Sequence, residues 1–439
     1  MLKRILALTL VFVVLSFSAV SAADVSFYNK NNIQVSEIED GQDIKIETGD
    51  NENYFAALYS DTGRISAVMN LAEGEVFVSK GIKNIVIFGF DEEQKKMSEV
   101  ISLPVVPNDP SNDAEENFIS IADVYNNGKA IYSLTTDDGY AYTAAFLTDQ
   151  FRNLDLKGTM GLVTDWMGRE GMMTWEQAEK YVNGHNSVWG VASHTKSHQQ
   201  NGFGSLNEMQ MEIEIGDAYR ELKEHFPNEK ILAVWPPGGI TSDISFKVTN
   251  KYHLISRRTA GGATHNYLPM IKSELTYLAV YMVDAKSNFQ TMKGWADNAV
   301  ERGQWLVEMW HGVGDTDAAS WHGNVAERDA SMYLSYISKL QKEGKMWVAT
   351  IDEAAAYTLE KMETKVSVLE KSEDKIRFKL TDNLDDAIYD VPLTVNVTLP
   401  EGWEDAKATQ GGKAITGKVS DGVITVNVKP DSGEVVIKK

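Results

Sequence analysis

The stretch Ala130-Ile131-Tyr132-Ser133-Leu134-Thr135-Thr136-Asp137-Asp138-Gly139 decides how this chain is read: an apolar, β-rich run that stops on two adjacent carboxylates and a glycine. Runs of the same kind recur at Thr159 to Val163, Val188 to Ala192, Ile231 to Trp235, Leu254 to Arg257, Leu278 to Val283, Trp305 to Trp310 and Met346 to Ile351. Helical stretches lie between several of them. The clearest is Asn207 to Phe226, where Met211, Ile215, Ala218 and Leu222 fall near helical spacing. Strand and helix in alternation predict a mostly parallel α/β sheet or barrel. In such folds functional groups gather at the carboxyl ends of the strands, where Asp137 and Asp138 stand.

Outward from this region the pattern turns to β alone. From about Val25 to Leu103 short β-rich runs are punctuated by Asp40-Gly41 and Asp61-Thr62-Gly63, and beyond Glu363 further runs are separated by Gly411-Gly412 and Asp421-Gly422. Both regions predict small β-sandwiches. A segment rich in Pro, Asn, Asp and Ser begins at Pro104 and has no core-forming period, so it reads as a linker. The expected organisation is therefore a signal segment at 1–23, a β-sandwich-like domain at 24–103, a linker at 104–127, the α/β unit at 128–360 and a second β-sandwich-like domain at 361–439.

The chain's 439 residues, 43% of them hydrophobic, suffice for several cores. Its start has Lys3 and Arg4, then an apolar run from Ile5 to about Phe17, then small residues around Ala19, Ser21, Ala22 and Ala23. That layout is expected of a cleavable secretory signal, and the run is short for a membrane span. No later segment is apolar enough to cross a bilayer, so a secreted, extracellular protein is expected. Loss of Lys3 and Arg4 takes the formal charge from -21 to about -23. So acidic a chain without a basic cluster is a poor partner for nucleic acid or anionic lipid. It has no cysteine, so neither disulfides nor a lipid-modified cysteine contribute.

Three segments carry chemistry. At Asp137-Asp138 the adjacent side chains diverge, so one carboxylate can hold a metal while the other reaches the water that the metal activates; the bland alternative is a solvated turn. At His194-Thr195-Lys196-Ser197-His198 two imidazoles four residues apart follow an apolar run, and on a helical turn they would share one side. Two neutral nitrogens and the Asp138 carboxylate, with a coordination position left for water, make a catalytic rather than a structural metal set. At Glu308-Met309-Trp310-His311-Gly312 a histidine ends the run Trp305 to Trp310; an isolated strand-end histidine is more often structural, but imidazole titrates in the range a general acid needs.

Together these segments resemble the polysaccharide deacetylases of carbohydrate esterase family 4, whose catalytic unit is the NodB homology domain. The resemblance covers roughly Gly128 to Tyr357; Gly184-His185 ahead of the second segment and Trp347 to Tyr357 at the end also fit. It implies a distorted (β/α) barrel, flanked here by two small all-β domains. It implies one bound divalent metal, commonly Zn2+, with Co2+ or Ni2+ as alternatives. By position Asp138, His194 and His198 match the metal ligands, Asp137 the catalytic base and His311 the catalytic acid.

One departure stands out. The family usually has an Arg-x-Pro-x-Gly segment whose arginine contacts the catalytic aspartate, and this chain has Trp235-Pro236-Pro237-Gly238. The expected replacement is Arg258, with Arg257 second. Pro237 and Gly238 are expected to line the site and offer a backbone donor. Trp310, beside His311, is the preferred sugar-stacking surface, with Trp166, Trp189 and Trp321 behind it. Asp284 is a weak candidate for orienting His311, a solvated strand end being the simpler account.

The expected activity is removal of N- or O-linked acetyl groups from an acetylated polysaccharide or oligosaccharide. The competing expectation is a catalytically impaired protein on the same scaffold, bound to polysaccharide or cell envelope through its β-domains.

Overall fold

Alternating apolar residues build the first part of the molecule. The computed structural model describes the strands between Val25 and Val106 and residues 118–439, except 201, 263–265, 269, 271 and 315–322. The expected signal segment lies outside the described residues. The chain divides into Met1–Glu116 and Asn117–Lys439. In the first unit the strands are β1 (Val25–Asn29), β2 (Ile38–Glu39), β3 (Asp43–Thr48), β4 (Tyr54–Ser60), β5 (Ile65–Asn70), β6 (Val76–Val78), β7 (Ile82–Asp91) and β8 (Lys96–Val106). They form one sheet in the order β1-β3-β6 and another in the order β2-β8-β7-β4-β5. Ile44 and Ile46, two apart on β3, are both buried, as a half-buried strand requires.

The second unit opens with β9 (Ile119–Ile121) and continues into the α/β region. Its strands are β10 (Ala130–Thr136), β11 (Gly158–Leu162), β12 (Trp189–Ser193), β13 (Ala233–Val234), β14 (Ile255–Gly261), β15 (Leu278–Val283), β16 (Trp305–Trp310) and β17 (Met346–Val348). The helices are α1 (Ala141–Leu154), α2 (Trp175–Val182), α3 (Glu208–Met211), a π segment (Glu212–Asp217), α4 (Ala218–His225), α5 (Asp243–Tyr252), α6 (Lys272–Leu275), α7 (Phe289–Arg302), α8 (Glu327–Lys342) and α9 (Ile351–Glu363).

Strands β11 to β16 follow one another in parallel, and β10 closes the ring by pairing with both β16 and β11. The first half of β10 also pairs with β17 (Ala130↔Met346), so closure uses only its second half on the β11 side. This is a (β/α) barrel. Every residue of β10, β11, β12 and β16 is buried, which explains their continuous apolar runs. Ala130, Tyr132 and Leu134 pack with Leu147, Phe151, Tyr333 and Leu334 of α1 and α8, while Ile131 belongs with Trp235, Ile255, Trp305 and Val307 in a second core. Gly161 is required here: a Cβ would lie 2.2 Å from the Trp235 indole.

Three expectations change in the details. The run Ile231 to Trp235 yields only two paired residues, because Ile231 is left-handed (φ 54°) and Pro236 and Pro237 have no amide hydrogen to continue the ladder. The last barrel strand stops at Val348, where Thr350 caps α9. The stretch expected as a linker gives its ends to sheets: β8 runs to Val106, and Ile119 and Ile121 pair with Val397 and Val395.

The C-terminal strands β18 (Lys365–Lys371), β19 (Lys375–Thr381), β20 (Leu393–Thr398), β21 (Lys407–Gln410), β22 (Lys413–Ile415), β23 (Gly417–Ser420), β24 (Val423–Val428) and β25 (Val435–Lys438) form two sheets, β18-β19-β25-β21-β22 and β23-β24-β20-β9. Their shared core takes in Phe118 and Tyr357 of α9, so this β-domain and the barrel are continuous. No helix among the described residues is long and apolar enough to cross a membrane.

Candidate active site

Because the barrel strands are parallel, their carboxyl ends share one face of the ring. Asp137 and Asp138 follow β10, His194 follows β12, Arg257 lies on β14 and His311 follows β16. The chain turns sharply after Thr136. Asp138 and Gly139 have φ of 70° and 90°, and the Asp137 amide donates to the Trp310 carbonyl (2.9 Å), tying the end of β10 to the end of β16.

The five residues singled out in the sequence come together. Asp138 Oδ1 lies 3.4 Å from His194 Nε2 and 3.7 Å from His198 Nε2. Asp137 Oδ2 lies 3.7 Å from His194 Nε2 and 3.8 Å from His311 Nε2. Asp138, His194 and His198 each offer one ligand atom, all within 4.8 Å of one another.

Two observations test whether this set suits a cation. Asp138 Oδ1 is buried and has no hydrogen-bond partner, an orphaned acceptor that a cation would satisfy. The His194 Nδ1 sits 2.8 Å from the Trp235 carbonyl, which can only accept, so Nδ1 carries the hydrogen and Nε2 presents its lone pair. The residues fit a divalent metal with nitrogen and oxygen ligands.

Electrostatics bind the cluster further. Burial works to raise the Asp138 carboxyl, but the nearby imidazoles, His194 foremost and then His311 and His198, outweigh it and hold it at about 2. Burial pulls the His194 imidazole down, and Asp137 and Asp138 together raise it above its ordinary value. His198 is lowered by burial and by His194.

The arginine beside Asp137 is Arg257. Its Nη2 donates to Asp137 Oδ1, and both side chains are buried. Burial lowers the Arg257 guanidinium from its ordinary value against the pull of Asp137 and Asp138. Arg258, the expected replacement, is exposed and lies over the Tyr277 ring (4.5 Å), because consecutive strand residues face opposite ways. The Arg257 guanidinium lies 4.6 Å over the Trp235 ring. Trp235 is thus the platform for the arginine that contacts Asp137.

Trp310 is also corrected. It is fully buried, and its indole N–H donates to Glu308 Oε2 (3.0 Å) on the helix side of the sheet, so it presents no face to a sugar. Trp189 is likewise core, donating to Thr148. Trp166 does stand beside the site: it is half-buried, with its ring 4.9 Å from the His198 ring. Trp321 lies outside the described residues. Pro237 is buried, and the turn after it is held by Thr259 Oγ1 on the Gly238 carbonyl (3.4 Å) and the Tyr277 hydroxyl on the Gly239 carbonyl (2.8 Å). Asp284 accepts from the Lys286 amide and the Ser287 hydroxyl, the turn-forming role of a strand end.

Sequence reasoning passed over three residues. The Tyr140 phenol is raised by burial and by Asp138 beside it. Glu308 is fully buried and accepts from Tyr132, Tyr333 and Trp310; burial, against those three donors, raises it to about 7. Glu214 holds the loop that carries His198. A carboxylate inside the apolar run Trp305 to Trp310 was the available signal for Glu308.

Residues 125–254 match the family model described as polysaccharide deacetylase. Over this segment the chain is similar to that family. The match takes in Asp137, Asp138, His194 and His198 and ends before Arg257 and His311. A gellan lyase from a Bacillus species is 24% identical over 267 residues, which is 56% of this chain but only 10% of that protein, so the chain spans about a tenth of the length of this curated relative. Among solved structures, a family 4 acetyl xylan esterase from Clostridium thermocellum with a cobalt ion is 18% identical, over 52% of this chain and 91% of that one, at a TM-score of 0.36. A family 4 pseudoenzyme from Bacillus anthracis is 16% identical, over 62% and 84%, at a TM-score of 0.35.

Proposed function

We propose that the protein is a secreted, metal-dependent hydrolase that removes N- or O-linked acetyl groups from a carbohydrate polymer or oligosaccharide. The observation that carries the reading is the orphaned Asp138 Oδ1 facing two imidazole nitrogens, with Asp137 held beside them by Arg257. Asp138, His194 and His198 would hold the divalent metal, proposed as Zn2+, which when bound makes water acidic enough to be a nucleophile at neutral pH and polarises a carbonyl.

Asp137 would take the proton of the attacking water, since its Oδ2 lies 3.7 Å from His194 Nε2 while its Oδ1 is occupied by Arg257. Attack on the acetyl carbonyl gives a tetrahedral oxyanion. His311, whose Nε2 lies 3.8 Å from Asp137 Oδ2, then hands a proton to the departing sugar nitrogen or oxygen, and acetate leaves.

The test is metal analysis of the purified protein combined with acetate release from acetylated xylan, chitooligosaccharides and peptidoglycan. One equivalent of metal with acetate released from at least one substrate is the expected result. Bound metal without acetate release from any of them would overturn the hydrolase reading in favour of a glycan-binding protein.

A further inference from the structure

The segment carrying His198 is bent at both ends. Thr195 and His198 have φ of 68° and 55°, the left-handed region that a β-branched residue such as threonine enters only when its surroundings force it. The Thr195 amide donates to Ser193 Oγ and the His198 amide to Thr195 Oγ1, each at 3.2 Å. Thr164 and Asp165 donate their amides to the Thr195 and Lys196 carbonyls, and the Lys196 ammonium pairs with Glu221 and Asp165, but Ser197, next to His198, is held by Glu214. The Ser197 amide donates to Glu214 Oε2 (3.0 Å), the Ser197 hydroxyl to Glu214 Oε1 (2.6 Å), and Gln199 Nε2 to the same Oε1 (3.3 Å). The Lys196 amide adds a bond to the Glu214 carbonyl oxygen (2.9 Å).

Glu214 is 4% exposed, an unusual burial for a glutamate. It lies in the π segment, the kind of local widening that recurs at functional sites, and its neighbours Met211 and Ile215 pack with Phe203 and Val248. Its side-chain hydrogen bonds all go to the His198 loop. His194 is locked independently through Nδ1 and the Trp235 carbonyl.

We propose that Glu214 is a positioning residue for the metal site. By clamping both donors of Ser197 it holds the next residue, His198, in the left-handed turn that brings Nε2 to within 3.7 Å of Asp138 Oδ1. Without the clamp the loop relaxes toward ordinary backbone angles and the His198 imidazole swings away, leaving Asp138 and His194. The proposal rests on the reading of Asp138, His194 and His198 as metal ligands.

The experiment uses metal-free full-length protein titrated with Zn2+ by calorimetry and with Co2+ by its visible absorption, for the parent protein, Glu214→Ala, Glu214→Gln, Ser197→Ala and His198→Ala. Unfolding temperatures of the metal-free forms are measured alongside. Glu214→Ala is expected to weaken Zn2+ binding by about tenfold or more and to move the Co2+ spectrum toward that of His198→Ala. Glu214→Gln, which keeps one acceptor oxygen, should fall between, and Ser197→Ala should weaken binding less. If Glu214→Ala does not fold, Glu214→Gln and Ser197→Ala carry the test. Parent-like affinity and spectrum in both of these would overturn the clamp while leaving the metal site standing. A parent protein that takes up no metal, or a His198→Ala variant that binds as tightly, would overturn the metal-site reading itself.

Discussion

Arg257 and Asp137 form an ion pair sealed inside the barrel, the arginine 1% and the carboxylate 3% exposed. Removing one partner of such a pair leaves the other charge buried and uncompensated, which costs about 3–5 kcal/mol. Arg257→Ala is therefore expected to lower the unfolding free energy by that order and to depress kcat/KM for acetate release. Arg257→Lys keeps the charge but not the planar fork over Trp235, so it should recover stability better than activity. Arg258→Ala should stay within about 0.5 kcal/mol of the parent, as surface substitutions usually do. Denaturant unfolding and steady-state kinetics on the three variants check the assignment. Equal losses at positions 257 and 258 would contradict it.

Asp137 and Asp138 are adjacent, yet their substitution should separate chemistry from metal binding. Asp137→Asn keeps the size of the side chain, and as the loss of a general base it should lower kcat by about 10²–10⁴-fold while metal content stays at one equivalent. His198→Ala should lose both metal and activity. Chelation of the parent protein should abolish acetate release, and Zn2+ should restore it. An Asp137→Asn variant with full turnover would remove Asp137 from the mechanism.

The site was legible in the sequence where chemistry is local. Asp137-Asp138-Gly139 and His194 to His198 each end an apolar run, and strand ends are where a parallel barrel collects its functional groups. The residues missed or misplaced depend on facing and on distance. Arg257 and Arg258 differ only in which side of β14 they occupy; Ile255 shares the side of Arg257, so strand alternation held the answer once Ile255 was placed in the core. Trp310 next to His311 looked exposed because strand ends usually are, but β16 is buried on both faces through its last residue. Glu214 lies sixteen residues beyond His198 on a different element, and nothing in a helical period announces a π turn. The short β13 follows from the left-handed Ile231, an angle that no propensity suggests for isoleucine.

Trp310 and Glu308 offer a test of that correction. With the indole fully buried and donating to Glu308, Trp310→Phe removes one of three donors to a buried carboxyl and opens space in the core. The expected loss is on the order of 1–3 kcal/mol from the hydrogen bond, with a cavity contribution in addition. KM should remain within about twofold of the parent, because uniform substrate binding is not what the ring supplies. A large rise in KM at unchanged stability would instead restore Trp310 as a sugar platform.

Asp352 ties the start of α9 to Leu232, just ahead of β13, and makes stability depend on pH. Its Oδ2 accepts from the Leu232 amide (3.1 Å), and its Oδ1 is buried without a partner. Burial raises the carboxyl, against the Leu232 amide that lowers it and with Glu229 adding to the rise, to about 7. In the unfolded chain an aspartate titrates near 3.9, roughly as in model peptides. Between these values the unfolded chain has released the proton that the folded chain keeps. The unfolded state therefore binds fewer protons, and stability falls as pH rises through that window, reaching its floor above about 7. Asp352→Asn can still accept from Leu232 but cannot ionise. Its buried amide nitrogen adds a pH-independent cost of about 1–3 kcal/mol. Glu308 and Glu360, raised to about 7 and about 8 mainly by burial, slope the same way in both proteins and cancel in the comparison. The difference in unfolding free energy between variant and parent should therefore move in favour of the variant from pH 5 to pH 8, read from denaturant midpoints at each pH. A difference that stays constant across that range would show that Asp352 does not carry its proton in the folded state.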